Sequence, residues 1–333
     1  MGQTVRKEWI DICKGIGAIL VVLGHIKYTP DVLKIWIYSF HMPLFFFLAG
    51  YTYNEDKYHN LTHLLKNKVR TLLIPYFIYY SVYLLLNIMM NISSGINWGG
   101  VLRNVIGLIL NIRGTEYGLG IWFIPCIFVS FIFMWMILRV CKENKQIMIV
   151  GFAIFGGGIL YSKIFEVTLP WAIDASLVAT PIMILGYLCA RNNYFIKKLF
   201  VSAFGGLIVN ILLTFINYKI SGVRVDMWGN QYGVAVLFVF ESITGIISLI
   251  SFAKLLENTK GKILQNIGKK SLYIYGIHSS ILVLLNQVYF VEVNQIVAIM
   301  FTVAELVIIF GVLLLLEKYI HILEKRLETI IIR

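Results

Sequence analysis

Apolar stretches of about twenty residues recur from one end of this chain to the other, and that recurrence limits the fold more than any other feature. A helix needs roughly 20 mostly apolar residues to cross about 30 Å of hydrocarbon. In that solvent every backbone polar group must be satisfied within the protein, which favours helices. Ten spans are expected, at about 9–26, 35–53, 70–91, 119–139, 146–162, 172–190, 197–216, 233–255, 271–290 and 294–316. The expected fold is therefore all-α: a polytopic membrane protein with about ten transmembrane helices. Of 333 residues, 59% are hydrophobic and 14% charged, with a mean hydropathy of +0.81. That is too apolar for a soluble protein of this length, so residues 1–333 read as one integral-membrane domain with no soluble domain. The first stretch has no small-residue cleavage site behind it and leads straight into the second, so it reads as a span and not as a signal peptide. Segment 98–112, WGGVLRNVIGLILNI, is short and interrupted by Arg103 and Asn104. It is expected to be interfacial or re-entrant; if it spanned, the C-terminus would change side.

A net charge of +12 raises the question of nucleic acid, and the distribution of charge answers it. In the ten-span arrangement 21 of the 29 Lys and Arg fall on one side and 7 on the other, with Lys14 inside the first span. Such a bias marks the cytoplasmic side, so both termini are expected in the cytoplasm. The basic charge then serves topology and contact with the lipid bilayer, and no nucleic-acid partner is expected. The four cysteines, at 13, 126, 141 and 189, have no CxxC spacing and read as ordinary thiols.

The first span is poorly made for lipid. Its uncharged run from Gly15 to Gly24 is only ten residues, so crossing takes Lys14, and Asp11 below it, into the membrane and ends on His25. A charge near the bilayer centre costs about 2.5 to 3.5 kcal/mol on insertion scales. Lys14 and His25 are separated by about 16 Å of rise and about 1,100° of rotation, which puts both on one face. Asp11 lies one turn below Lys14, close enough to pair with it. Snorkelling of Lys14 to the interface is the plainer alternative. The second span carries His41 at about the depth of His25, followed by Pro43, whose missing N–H frees a carbonyl that is tolerated only beside protein or water. His41 could also be a simple polar bridge between helices. Together the two histidines outline a polar pocket near the outer face.

Further polar residues fall at two depths. Trp122, Asp174, Arg224, Asp226, Asn230 and Tyr232 lie at outer span ends, a rim of aromatic and hydroxyl-binding groups suited to a sugar, or an aromatic belt. Glu241, His278 and Glu305 lie deeper, where such residues rarely face lipid. On the inner side Lys66, Lys68 and Arg70 stand at the mouth of the third span, either for topology or to hold a phosphorylated ligand.

These residues sit in a familiar pattern. The Lys14-x10-His25 spacing inside WIDICKGIGAILVVLGH resembles the Arg/Lys-x10-His signature of the acyltransferase-3 family. SFHMPLFFFLAGY resembles its second-helix motif, KVRTLLIPY its basic motif before the third, and GIWFIPCIF its Trp-Phe stretch. LPWAIDASLVATPIMILGYL and KKSLYIYGIHSSIL are similar to later landmarks of the fucose 4-O-acetylase-like branch. The chain departs from the pattern at Ala49-Gly50, where members often carry Ser-Gly. Many members also carry a soluble transferase domain, which is not expected within 1–333.

The resemblance implies a membrane O-acetyltransferase of the cell envelope, in a bacterial-type plasma membrane. It would move an acyl group from cytoplasmic acetyl-CoA to a hydroxyl of an extracytoplasmic or lipid-linked glycan. By position, Lys14 would be the essential basic residue, His25 the essential histidine, and Arg70 part of the cytoplasmic basic motif. Chemically, Lys68, Arg70 and Lys14 suit CoA phosphates, and a neutral His25 suits the role of general base toward the acceptor hydroxyl. Asp11 would balance Lys14, and His41 or Asp174 would orient His25 or the acceptor. Trp122, Asp174, Asn230, Tyr232, Glu241 and His278 would bind the acceptor. No metal ligand set is expected, and a homo-oligomer is left open. The competing reading is a transporter of an amino acid or lipid-linked sugar, because intramembrane Asp, Glu and His also build relays. The lack of an obvious internal repeat speaks against it.

Overall fold

The computed structural model describes residues 7–90, 92, 95–113, 121–165, 167–194, 196–257, 261–288 and 295–331. Among these the chain is helical, and the one β-type pairing is an isolated bridge between Asp226 and Gln231. The helices are α1 (Glu8–His25), α2 (Asp31–Tyr38), α3 (His41–Tyr51), α4 (Leu61–Lys68), α5 (Ile74–Met90), α6 (Trp98–Leu110) and α7 (Phe123–Val140). They continue with α8 (Asn144–Ile164), α9 (Ile173–Arg191), α10 (Leu199–Ser221), α11 (Ala235–Leu255), α12 (Lys262–Lys269), α13 (Ser271–Val288) and α14 (Gln295–Ile331).

Among the described residues eight segments are long and apolar enough to cross a membrane, and each matches one of the ten expected spans. The other two expected spans are α1 and α13. The first carries Glu8, Asp11 and Lys14, and the second belongs to the shorter apolar helices, as does α6. At 13 residues α6 is about 20 Å long, less than the hydrocarbon core.

Four expectations about the spans and loops are corrected. The second span is not one helix: α2 and α3 meet at Ser39 and Phe40. Pro43 has no N–H to give to the Ser39 carbonyl, and the Ser242 hydroxyl of α11 donates to that carbonyl instead, at 3.0 Å. His41 Nδ1 serves the Ile37 carbonyl at 2.8 Å and the Ser39 hydroxyl serves Trp36 at 2.8 Å. The break is thus stitched by side chains, as an apolar solvent requires. The third span begins at Leu61, not at residue 70, because Asn60 caps α4 through the His63 N–H at 2.8 Å. A π-helical turn, Val69–Leu73, joins α4 to α5 just before Pro75. The stretch between the expected spans 233–255 and 271–290 is not a bare loop: it contains α12. The two helices α1 and α12 touch backbone to backbone: a Cβ on Gly15 would strike the Leu264 carbonyl, and one on Gly268 the Asp11 carbonyl. Lastly, α14 continues well beyond residue 316, to Ile331.

The centre of the bundle is α3 against α9, again through glycines. A Cβ on Gly50 would strike the Met183 carbonyl, and one on Gly186 the Phe47 carbonyl. Close approach of this kind is how helices associate where burial against lipid gives no hydrophobic gain. Gly50, the residue that the Ala49-Gly50 pair shares with the Ser-Gly pattern, is therefore a packing residue. Helices α8 and α10 lie at the periphery, with little of their surface buried.

Candidate active site

α1 joins two polar regions. At its His25 end, a pocket of about 280 Å³ is bounded by His25, Tyr38, His41 and Met42, by Trp122 and Tyr275, and by the stretch Asp226–Trp228. The break between α2 and α3 turns His41 toward this space. Tyr38 packs on both imidazoles, with ring centroids 6.1 Å from His25 and 4.9 Å from His41. From α13, His278 sets its ring edge to face with His25 at 5.0 Å. His25 is exposed, whereas His41 and His278 are buried.

The backbone fixes the protonation pattern of these rings. His25 Nδ1 meets the Val21 carbonyl at 2.8 Å, and His278 Nδ1 meets the Tyr275 carbonyl at 2.7 Å. His41 Nδ1 makes the equivalent bond to Ile37. A carbonyl can only accept, so each Nδ1 carries the hydrogen, and in the neutral ring Nε2 keeps its lone pair. The Ser279 hydroxyl lies 3.4 Å from His278 Nε2.

Behind the Asp226–Trp228 wall lies a buried ion pair. The Arg113 guanidinium donates to the carbonyls of Met227 at 3.0 Å and Trp228 at 2.7 Å. It also pairs with Asp174, which accepts from the Asn230 side chain as well. Asp226 closes the turn: its N–H donates to the Gln231 carbonyl at 2.7 Å and its carbonyl accepts from the Gln231 N–H at 2.9 Å. Asn230 takes a positive φ of 55°, a conformation that asparagine tolerates. Arg224 spans the mouth, 3.9 Å from the Tyr38 ring centroid and 3.3 Å from the Asp226 carboxylate.

At the other end of α1, Lys68 lies 3.3 Å from the centroid of Phe131 and 5.4 Å from that of Tyr58. Lys57 and Lys14 are near enough to repel it. Three hydrogen bonds hold the Tyr58 loop: from Trp135 Nε1 to the Tyr58 carbonyl at 3.0 Å, and from Arg139 to the Tyr58 and His59 carbonyls at 2.7 and 2.6 Å. Burial pushes the Tyr58 phenol above its ordinary range, so it stays a neutral donor, here to Asn67 at 2.7 Å. Arg70 is exposed on the π-helical turn, and Asp11 is buried in the seam with α12.

Of the residues expected from sequence, the structure brings His25, His41, Trp122 and His278 together at one end, and Lys14 and Lys68 at the other. It moves several from their expected places. Asp174 and Asn230 stand behind the wall, bound to Arg113 or to each other, and do not line the pocket. Tyr232 is buried against Phe238, with ring centroids 5.1 Å apart. Glu241 lies between α10 and α11, accepting from Asn217 at 2.9 Å; it braces two helices and does not line the pocket. The pocket also contains Tyr38, Tyr275 and Trp228, which sequence reasoning passed over. Tyr275 had a usable signal, one helical turn before His278. Arg113 had none, since a lone arginine in a loop reads as topology. Among the described residues no three metal-ligating side chains converge.

No curated protein and no solved structure matches the chain significantly. A family model does, the acyltransferase domain, over residues 7–317. That match takes in α1 with Lys14 and His25, the Lys68 region, the pocket wall and α13, so the chain belongs to the acyltransferase-3 family of membrane acyltransferases.

Proposed function

We propose that this protein moves an acetyl group from cytoplasmic acetyl-CoA to a hydroxyl of an extracytoplasmic or lipid-linked glycan, in a bacterial-type plasma membrane. In this reading α1 and α13 join the eight apolar segments as spans. The Lys14 end faces the cytoplasm with both termini, in keeping with the one-sided distribution of Lys and Arg. Lys68 and Lys14, with Arg70 at the entrance, meet the CoA phosphates, and the pantetheine arm carries the thioester toward His25.

The acceptor sugar enters from the opposite side and stacks against Trp122 and its aromatic neighbours. His25 Nε2 takes the proton of the attacking hydroxyl. The hydroxyl oxygen bonds to the thioester carbon, the C–S bond breaks, and the imidazolium returns the proton to the CoA sulfur. His41 and His278 shape the space around His25, and neither needs to change its protonation.

The observation that carries this reading is the pairing, on one face of one helix, of an accessible imidazole in an aromatic pocket with a cation cluster at the far end. A two-ended ligand such as acyl-CoA needs both. The test uses purified protein in nanodiscs, with acetyl-CoA binding followed by calorimetry for wild type, Lys14→Ala and His25→Ala. Wild type and His25→Ala should bind, Lys14→Ala should bind more weakly, and only His25→Ala should bind without transferring acetyl to an added glycan acceptor. Failure of folded wild type to bind acetyl-CoA would overturn the reading and turn attention to amino-acid or lipid-linked sugar transport. Transfer by folded His25→Ala would remove the base assignment.

A further inference from the structure

A cleft unrelated to either polar region opens sideways between α8 and α11, with α9 as its floor. It measures about 530 Å³ and is lined by Phe152 and Phe155, Pro181 and Leu185, and Val236 and Ile243, among others. The lining is apolar apart from Ser242. A second cavity of about 260 Å³ shares Leu185, Ile243 and Ile246 with it and runs on to Trp9, Tyr51, Tyr194 and Lys254. Together they form one slot along α11 from Ala235 to Lys254. At 1.5 Å per residue the slot is about 28 Å long, and its half nearer Lys254 matches one leaflet of a hydrocarbon core about 30 Å thick.

The slot is polar at one end only. There Lys254 lies 5.3 Å from the Trp9 ring centroid, and Lys7 lies 5.0 Å from that of Tyr51 and donates to its hydroxyl at 3.1 Å. Ile196 lines the same end, and Lys197 and Lys198 follow it in the chain. Two carboxylates are near: Glu257 attracts Lys254 and accepts from the Trp9 N–H, and Glu8 accepts from Gln265. With Lys197 and Lys198 next in the chain to a lining residue, the segments around this aromatic mouth carry four lysines and two carboxylates, at the end of α1 assigned above to the cytoplasm. Lys, Trp and Tyr at this depth are the side chains that meet lipid headgroups, and clustered lysines attract anionic ones.

We infer that this slot holds one anionic phospholipid of the cytoplasmic leaflet, an acyl chain lying against Pro181, Leu185 and Ile243 and the phosphate seated between Lys254 and Lys7. One-ended polarity favours this occupant over a partner's transmembrane helix, which would need polar ground at both mouths. The inference depends on the membrane placement of α11 and its neighbours and is independent of the acyl-transfer reading.

The test is lipid retention. Wild type, Lys7→Ala/Lys254→Ala and Ile243→Trp are each reconstituted with phosphatidylglycerol and phosphatidylcholine in equal amounts and then re-extracted in mild detergent. Lipid remaining per chain is read by native mass spectrometry, with folding checked by gel filtration. Wild type should keep one phosphatidylglycerol in preference to phosphatidylcholine. The double lysine variant should lose that preference roughly ten-fold or more, as expected for two basic contacts to an anionic headgroup. Ile243→Trp should exclude both lipids. Equal retention of the two lipids by wild type, or an unchanged preference in the lysine variant, would overturn the inference. So would a dimer held through α8 and α11 in place of lipid.

Discussion

His25 and His278 hold their rings edge to face, 5.0 Å apart, although they belong to the first helix and the thirteenth. Neither ring chooses its own orientation. Each is tied by Nδ1 to a carbonyl of its own helix, so the contact fixes one imidazole against the other, and a general base works only within a narrow range of positions. His278→Ala should therefore lower kcat about ten-fold to a hundred-fold while acetyl-CoA binds as in wild type. His278→Gln, which keeps bulk, should lose less. Single-turnover acetyl transfer beside calorimetry separates the two effects, and unchanged kcat in His278→Ala would make the contact mere packing.

Lys68 sits over Phe131 in the company of Lys14 and Lys57. Bringing like charges together is unfavourable unless an anion joins them. Removing a charged partner of a hydrogen bond costs about 1.5 to 3 kcal/mol, so Lys68→Ala should raise the Kd for acetyl-CoA by roughly ten-fold to a hundred-fold. The loss should shrink as salt is added. Equal Kd values for wild type and variant would remove Lys68 from the donor site.

Arg113 and Asp174 are a buried pair whose removal is asymmetric. Taking one partner away leaves the other charge uncompensated, at a cost of about 3 to 5 kcal/mol. Arg113→Leu should therefore lower the melting temperature sharply in detergent. Arg113→Leu/Asp174→Leu should recover much of that loss, because neither charge remains. It should not recover acceptor use, since the Met227 and Trp228 carbonyls on the pocket wall still lack their donor. Recovery of both together would show the wall to be indifferent to the guanidinium.

Glycines separate contact from mere composition. Gly268→Leu should abolish folding, because any side chain there meets the Asp11 backbone. Gly205→Ala lies in α10 with nothing in reach of the new methyl and should be neutral or stabilising by up to about 1 kcal/mol. Monodispersity on gel filtration and melting temperature distinguish the two; a folded Gly268→Leu protein would mean that α1 and α12 can separate.

Much of this was legible beforehand, for reasons particular to each residue. The bilayer demands long apolar runs, so eight helices could be read directly. Helix arithmetic alone put His25 and Lys14 on one face, and span order put His41 level with His25. His278 reads from the sequence only as a polar residue within its span; its contact with His25 joins two helices far apart in the chain, which no periodicity links. The lysines that flank Ile263, Leu264 and Ile267 disguised α12 as a loop. Asp174 looked like a ligand group because its partner, Arg113, comes from a distant loop, and no periodicity links loops.

The seam between α1 and α12 has a consequence for how the chain is made. A helix carrying Glu8, Asp11 and Lys14 is a poor lodger in lipid until the backbone of α12 covers it. Yet about 250 residues separate the two in sequence, and at about 5–20 residues per second translation takes roughly ten seconds to almost a minute to cover that distance. Throughout that interval α1 has no permanent seat. It must wait at the surface or lean on an insertase, and the face of α1 that carries Lys14 and His25 is closed in only once α12 and α13 have followed.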